Sequence, residues 1–172
     1  MATPEVEFTH VTELRAEALG KPGQRTFRIL VDSANSSATM WLEKDQLFQL
    51  ALAITQLLTT LPERSEPEDS DPDRGSDPTV QLDFDVGKMT LAQDEVSRRL
   101  IIDAHDVESG EDGDPTVRVW GDLTQFKKFS EEAIRVCAAG RPTCPLCGVP
   151  LDPSGHKCPR ANGHGVVDLR EL

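Results

Sequence analysis

Four side chains near the end of the sequence have the types and spacing to hold a metal ion. The run Cys144-Pro145-Leu146-Cys147-Gly148 is a zinc-knuckle element, C-P-x-C-G. In such an element a tight turn lets two thiolates and nearby backbone N–H groups converge on one ion. Pro145 and Gly148 supply the fixed and the permissive backbone angles that the turn needs. After eight further residues come His156, Lys157 and Cys158, approached through Pro153 and Gly155. Three cysteines and one histidine make a tetrahedral, closed zinc set, and the soft thiolates disfavour magnesium or calcium.

Two histidines compete for the fourth position. His156 is two residues from Cys158, a tight bite, while His164 lies six residues beyond it in a looser spacing. If Cys158-Pro-Arg-Ala-Asn-Gly is a degenerate second knuckle, Ala161 occupies the place of its second cysteine. A ligand just before the knuckle then replaces it, which favours His156 over His164. Other uses of these cysteines fit less well. A disulfide suits an oxidising compartment and leaves one thiol over. A C-x-x-C redox pair opens a helix in a thioredoxin-like βαβ setting, which the sequence lacks. A [2Fe–2S] cluster is the remote alternative for a Cys₃His set. A hydrolytic zinc keeps an open position and a nearby acid, whereas four ligands within so short a stretch leave none. The deaminase pattern requires Glu two residues after the ligand histidine; here that residue is Cys158. The zinc expected here is structural, folding a segment too small for a core of its own. The fourth cysteine, Cys137, falls on the apolar stripe of a helix and reads as a small core residue.

The elements that precede this tail follow a repeated order. Gln24 to Asp32 alternates Phe27, Ile29 and Val31 on one face, as a half-buried strand does. Ala38 to Leu42 forms its hairpin partner, and Arg15 to Gly20 a strand before it. Lys44 to Leu61 places Leu47, Leu50, Ala51, Ile54, Leu57, Leu58 and Leu61 at helical spacing, and Pro62 stops it. In the second half, strands are expected over Lys88 to Ala92, Arg99 to Asp106 and Thr116 to Trp120. A helix over Leu123 to Ala139 then buries Phe126, Phe129, Ala133 and Cys137 or Val136. At an offset of 79 residues, Met40-Trp41 matches Val119-Trp120, Gln46-Leu47 matches Gln125-Phe126, and Leu50 matches Phe129. The expected fold is α+β: duplicated β-β-β-α units forming one antiparallel sheet under two helices, plus a small zinc-ribbon-like tail. The expected boundaries are 1–62 and 80–140 for the two repeats, 63–79 for a linker and 141–172 for the tail. Trp41 and Trp120 are read as core anchors. The segment 20–25, Gly-Lys-Pro-Gly-Gln-Arg, is read as a hairpin turn, because a phosphate cradle would lead into a helix and here a strand follows.

Charge narrows the function. The chain carries 30 acids against 18 bases, a formal net charge of -12. Seven of the acids lie in residues 62–79 with two bases and four prolines, the composition of a disordered acidic linker. So acidic a chain does not bind nucleic acid broadly, since that affinity comes from Lys and Arg neutralising phosphates. Binding through the tail alone would use Arg141, Lys157 and Arg160. No apolar run approaches the roughly 20 residues of a membrane span, and the N-terminal residues lack a signal-peptide pattern, so a cytoplasmic location is expected. For an enzyme with its pocket between the two halves, Asp103, His105 and Asp106 are the residues to suspect. Alternation puts Asp106 on the opposite strand face from the other two.

Two segments carry a family resemblance across nearly the whole chain: GKPGQRTF (residues 20–27) and CPLCGVPLDPSGHKCPRANG (residues 144–163). The chain resembles a family of bacterial repeat proteins of unknown function. Its recurring G-H-x-C-P-R-x-N-G pattern implies ligand roles for His156 and Cys158, and it implies no activity. The reading is a zinc-stabilised, non-enzymatic interaction or regulatory protein whose partner is another protein.

Overall fold

The computed structural model describes residues 2–21, 23–62, 79–110, 112–139, 144–147, 156–158 and 166–167, with the backbone alone at 156–157 and 166–167. Nearly all of the segment expected as an acidic linker, 63–79, falls outside them. The chain divides into two compact units. One, the body, comprises Met1–Ala18 and Thr26–Cys137; the other, the tail unit, comprises Leu19–Arg25 and Ala138–Leu172.

The body is a mixed α+β layer of seven strands and two helices. In chain order it contains β1 (Val6–Phe8), β2 (Glu13–Leu19), β3 (Thr26–Asp32), β4 (Ser37–Leu42) and α1 (Lys44–Thr60). There follow β5 (Gln81–Gln93), β6 (Leu100–Asp106), β7 (Val117–Gly121) and α2 (Leu123–Ala138). The spatial order is β1-β7-β6-β5-β4-β3-β2. After β1, the sequence β-β-β-α occurs twice, with element bounds within a few residues of those expected. Two strands differ. β1 was not anticipated, and β5 spans 13 residues, beginning well before Lys88.

Pairing inside each half is antiparallel for β3–β4, β5–β6 and β6–β7. The halves join through a parallel pair, β4–β5, and β1 adds parallel to β7. The sheet is therefore mixed rather than wholly antiparallel. The reason is local: β4 runs into α1, and a strand returning after a helical crossover lies parallel to the one that led into it.

The two edge strands of this sheet, β1 and β2, are separated by only residues 9–12. Such a link spans at most about 18 Å. Seven flat strands would set their edges about 29 Å apart at the usual spacing. The sheet consequently curls until its ends approach each other. Long β5 shows the same layout without the break. Its first part pairs with β4, its second with β6, and the register shifts between Val86 and Lys88. Gly87 sits at that shift, where an added Cβ would lie 3.0 Å from the Val107 backbone.

One face of the curl carries the core. Phe8, Ile29, Val31, Met40, Leu100, Ile102, Val117 and Val119 pack with Leu47 and Ile54 of α1 and Phe126 and Phe129 of α2, all essentially without exposure. Helix starts are fixed twice by the same device. Glu43 N–H donates to Gln46 Oε1 at 2.8 Å, and Asp122 N–H donates to Gln125 Oε1 at 3.2 Å. These are the glutamine arms of capping boxes. Each glutamine also donates from Nε2 to backbone carbonyls, Gln46 to Val86 and Gly87, Gln125 to Val11. Helix α1 ends where Leu61 turns extended (ψ 137°), as a residue before proline must.

Trp41 and Trp120 are not core anchors. Ala38, Met40 and Leu42 take the core face of β4, so alternation turns Trp41 outward, and Trp120 follows Val119 in the same way. Both rings are partly exposed. Trp41 Nε1 donates to Asp83 at 2.8 Å and Trp120 Nε1 to Glu7 at 2.6 Å. Arg28 and Arg99 stand over the two rings at 5.4 and 5.5 Å. Thus Leu82-Asp83-Phe84 serves β4 as Val6-Glu7-Phe8 serves β7.

Candidate metal centre

The tail unit begins where α2 ends. Cys144–Cys147 forms a turn, Cys144 being buried and Cys147 partly so. A two-residue strand, β8 (His156–Lys157), pairs antiparallel with β9 (Val166–Val167) and leads into buried Cys158. The Sγ atoms of Cys144, Cys147 and Cys158 all lie within 4.8 Å of one another, and those of Cys144 and Cys158 are 3.7 Å apart. Thiolates on one tetrahedral zinc at the usual bond length stand about 3.8 Å apart. The donor set therefore fits a thiophilic ion such as zinc in both chemistry and spacing.

Electrostatics favour the ligating form. The Cys144 thiol is lowered from 9.0 to about 6, first by the backbone N–H groups of Cys147 and Leu146, then by the thiols of Cys147 and Cys158. Burial opposes this and is outweighed. These N–H donors come from the tight turn that the C-P-x-C spacing imposes. Cys137 behaves differently. It lies in the body core, burial raises its pKa, and its Sγ contacts the Lys44 carbonyl at 3.9 Å.

Of the four ligands expected from sequence, the structure brings three cysteines together. The side chain of His156 and all of His164 lie outside the described residues. Arg141 and Arg160 do as well, and Lys157 is described only as backbone. The residues suspected for an enzyme do not form a nucleophile–base pair among the described residues. Both Asp103 oxygens accept from Arg118, at 2.7 and 2.8 Å, with Arg118 only 5% exposed. Asp106 accepts from the N–H of Glu108 and starts a short 3-10 turn, Val107–Ser109. His105 is 7% exposed, and its Nδ1 has no hydrogen-bond partner.

Sequence reasoning missed that the front motif belongs to the tail unit. Leu19–Arg25 clusters with the cysteine-bearing residues rather than with the strands it connects. The Arg25 guanidinium donates to the Ala139 carbonyl at 2.9 Å. Gly20 has φ 104°, and a Cβ there would meet the Gln24 carbonyl at 2.6 Å, so the turn requires glycine. No pattern in the sequence links the two segments, since they are more than 100 residues apart.

Fold and site together define a mixed α+β protein with a C-terminal cysteine cluster able to hold a metal ion. Among the described residues no helix is long and apolar enough to cross a membrane. Residues 6–158 match the family described as "Protein of unknown function (DUF3090)", and the chain belongs to that family. No curated protein and no solved structure shows a match to the chain.

Proposed function

We propose that this chain is a zinc-stabilised, non-enzymatic protein-interaction or regulatory protein. Its body, a β-β-β-α unit present twice by internal duplication, acts as scaffold for a small zinc-ribbon-like tail. The observation that carries the reading is the convergence of three thiols among the described residues of the tail unit. Among the described tail residues, only Cys144 and Cys158 are buried. Zinc would be held by Cys144, Cys147 and Cys158, whose thiols converge, with His156 as the fourth ligand that the sequence favours over His164. It would supply folding free energy in place of a hydrophobic core. A reducing, cytoplasmic setting keeps such thiols available. The Asp103 carboxylate is already engaged with Arg118, which counts against its use as a catalytic acid or base.

The test is zinc stoichiometry by native mass spectrometry on wild type, His156→Ala and His164→Ala. One zinc in wild type and in His164→Ala, lost in His156→Ala, supports a closed structural site. A protein without metal, or one that keeps it in both variants with an exchangeable water, would refute that assignment.

A further inference from the structure

Strand β2 closes one end of the sheet. β3 pairs with it on one side, and no described strand pairs with it on the other. An unpaired edge offers main-chain N–H and C=O groups to another chain, and folded proteins usually guard it. Here the guard is slight. The Ala16 N–H donates to Glu132 Oε2 of α2 at 3.2 Å, whereas a charge-assisted bond normally spans about 2.7–2.9 Å. The carboxylate takes the place that a neighbouring strand's carbonyl would fill. Beside it a groove of about 380 Å³ runs between β2 and α2, lined by Glu13, Leu14 and Arg15 on one side and Lys128, Glu131 and Arg135 on the other. Along β2 the side chains alternate. Leu14, Ala16 and Ala18 pack with the core, so Glu13, Arg15 and Glu17 share the outer face. Arg15 stands 3.1 Å from Glu13 and 3.7 Å from Glu17, which also meets Arg28 at 2.6 Å. Pairs as exposed as those of Arg15 are worth little and exchange readily for cross-strand ones.

We propose that the free edge of β2, with the groove beside it, is a docking site for an extended, net-basic protein segment that joins the sheet as a further strand. This goes beyond the scaffold role proposed for the body, within which all the lining residues lie. Main-chain hydrogen bonds would supply affinity, and the side chains along the edge would select the sequence. A carbonyl of the segment accepts from the Ala16 N–H in place of Glu132. On the outer face, Lys or Arg stands opposite Glu13 and Glu17, and Asp or Glu opposite Arg15. The recognised pattern is therefore base-x-acid-x-base. The order acid, base, acid on β2 reads the same in both directions, so the pattern serves a parallel or an antiparallel strand. Apolar residues between the charges face Leu14 and Ala16. The chain's net charge of -12 draws in a basic segment and repels a second copy of the chain from the same edge.

The experiment titrates the full chain into two labelled peptides, Thr-Lys-Val-Glu-Val-Lys-Thr and its charge-inverted counterpart Thr-Glu-Val-Lys-Val-Glu-Thr, and follows fluorescence anisotropy. The first should bind about tenfold more tightly and should slow hydrogen exchange at the β2 amides. Ala16→Pro deletes the N–H on the free side, where an edge strand tolerates proline, and should abolish binding. Arg15→Glu leaves the backbone intact and should weaken the first peptide about fivefold without weakening the second. If Ala16→Pro does not fold, Arg15→Glu carries the test. Equal binding of the two peptides, binding that survives Ala16→Pro, or no binding would overturn the proposal. So would a dimer in sedimentation equilibrium that Ala16→Pro abolishes, since a second copy would then hold the edge. None of these results touches the metal assignment, and a chain without zinc would leave this site standing.

Discussion

In the body, the curled sheet and two helices bury Phe8, Phe126, Phe129, Leu47, Ile54 and their neighbours in one apolar cluster. The buried side chains described in the tail unit are two cysteines, with a third packed against them. The body draws its stability from area removed from water, and it can lose a single contact without losing the fold. The described tail residues hold no such apolar cluster. On the proposed reading a metal orders them, so removing one ligand should be all-or-none. The comparison separates two kinds of residue that look equally prominent in the sequence.

The largest expected effect is on the tail. Cys144→Ser should reduce bound zinc from one to none and expose the tail to proteolysis, while circular dichroism retains the body's strands and helices. Collapse of the whole chain would show that the units are not independently stable. Acid should act at the same place. The Cys144 pKa is depressed, so its thiolate contribution is full above the ordinary 9.0, declines as pH falls and is gone below about 6. Protons also compete with the metal for that thiolate. Zinc retention measured across a pH series should therefore fail on the acid side, and retention that does not change even in strong acid would contradict the assignment.

An intermediate effect is expected in the body. Asp103→Ala leaves buried Arg118 without its carboxylate and should cost about 3 kcal/mol in denaturant unfolding, with zinc content unchanged. The smallest effects sharpen the likeness of the two halves. Gln46→Ala and Gln125→Ala each remove a capping arm and a tie to a neighbouring backbone carbonyl. Each should cost about 1 kcal/mol, and a clear inequality in thermal unfolding would show that the matching contacts do not do matching work.

Both helices were legible because Leu47-Leu50-Ala51-Ile54 and Phe126-Phe129-Ala133-Cys137 keep a single period over many residues. The thiol cluster was legible because knuckle spacing is local. What was missed depended on chain paths that local pattern does not record. β1 is three residues long, too short for alternation to register, and its place is set by pairing with β7 far along the chain. The first part of β5 does alternate, through Leu82, Phe84 and Val86. Asp83 and Asp85 between them made it resemble the acidic stretch just before. Asp83 is instead the acceptor for Trp41. The outward turn of Trp41 was implicit in the apolar alternation of Ala38, Met40 and Leu42. A general preference for burying tryptophan hid it.

Hydrogen exchange with and without a zinc chelator tests the central contrast most directly. Chelation should strip protection from the Leu19–Arg25 turn and from the tail after Ala138, while β3, β6 and both helices keep theirs. Unchanged protection in the tail, or loss throughout the sheet, would contradict it.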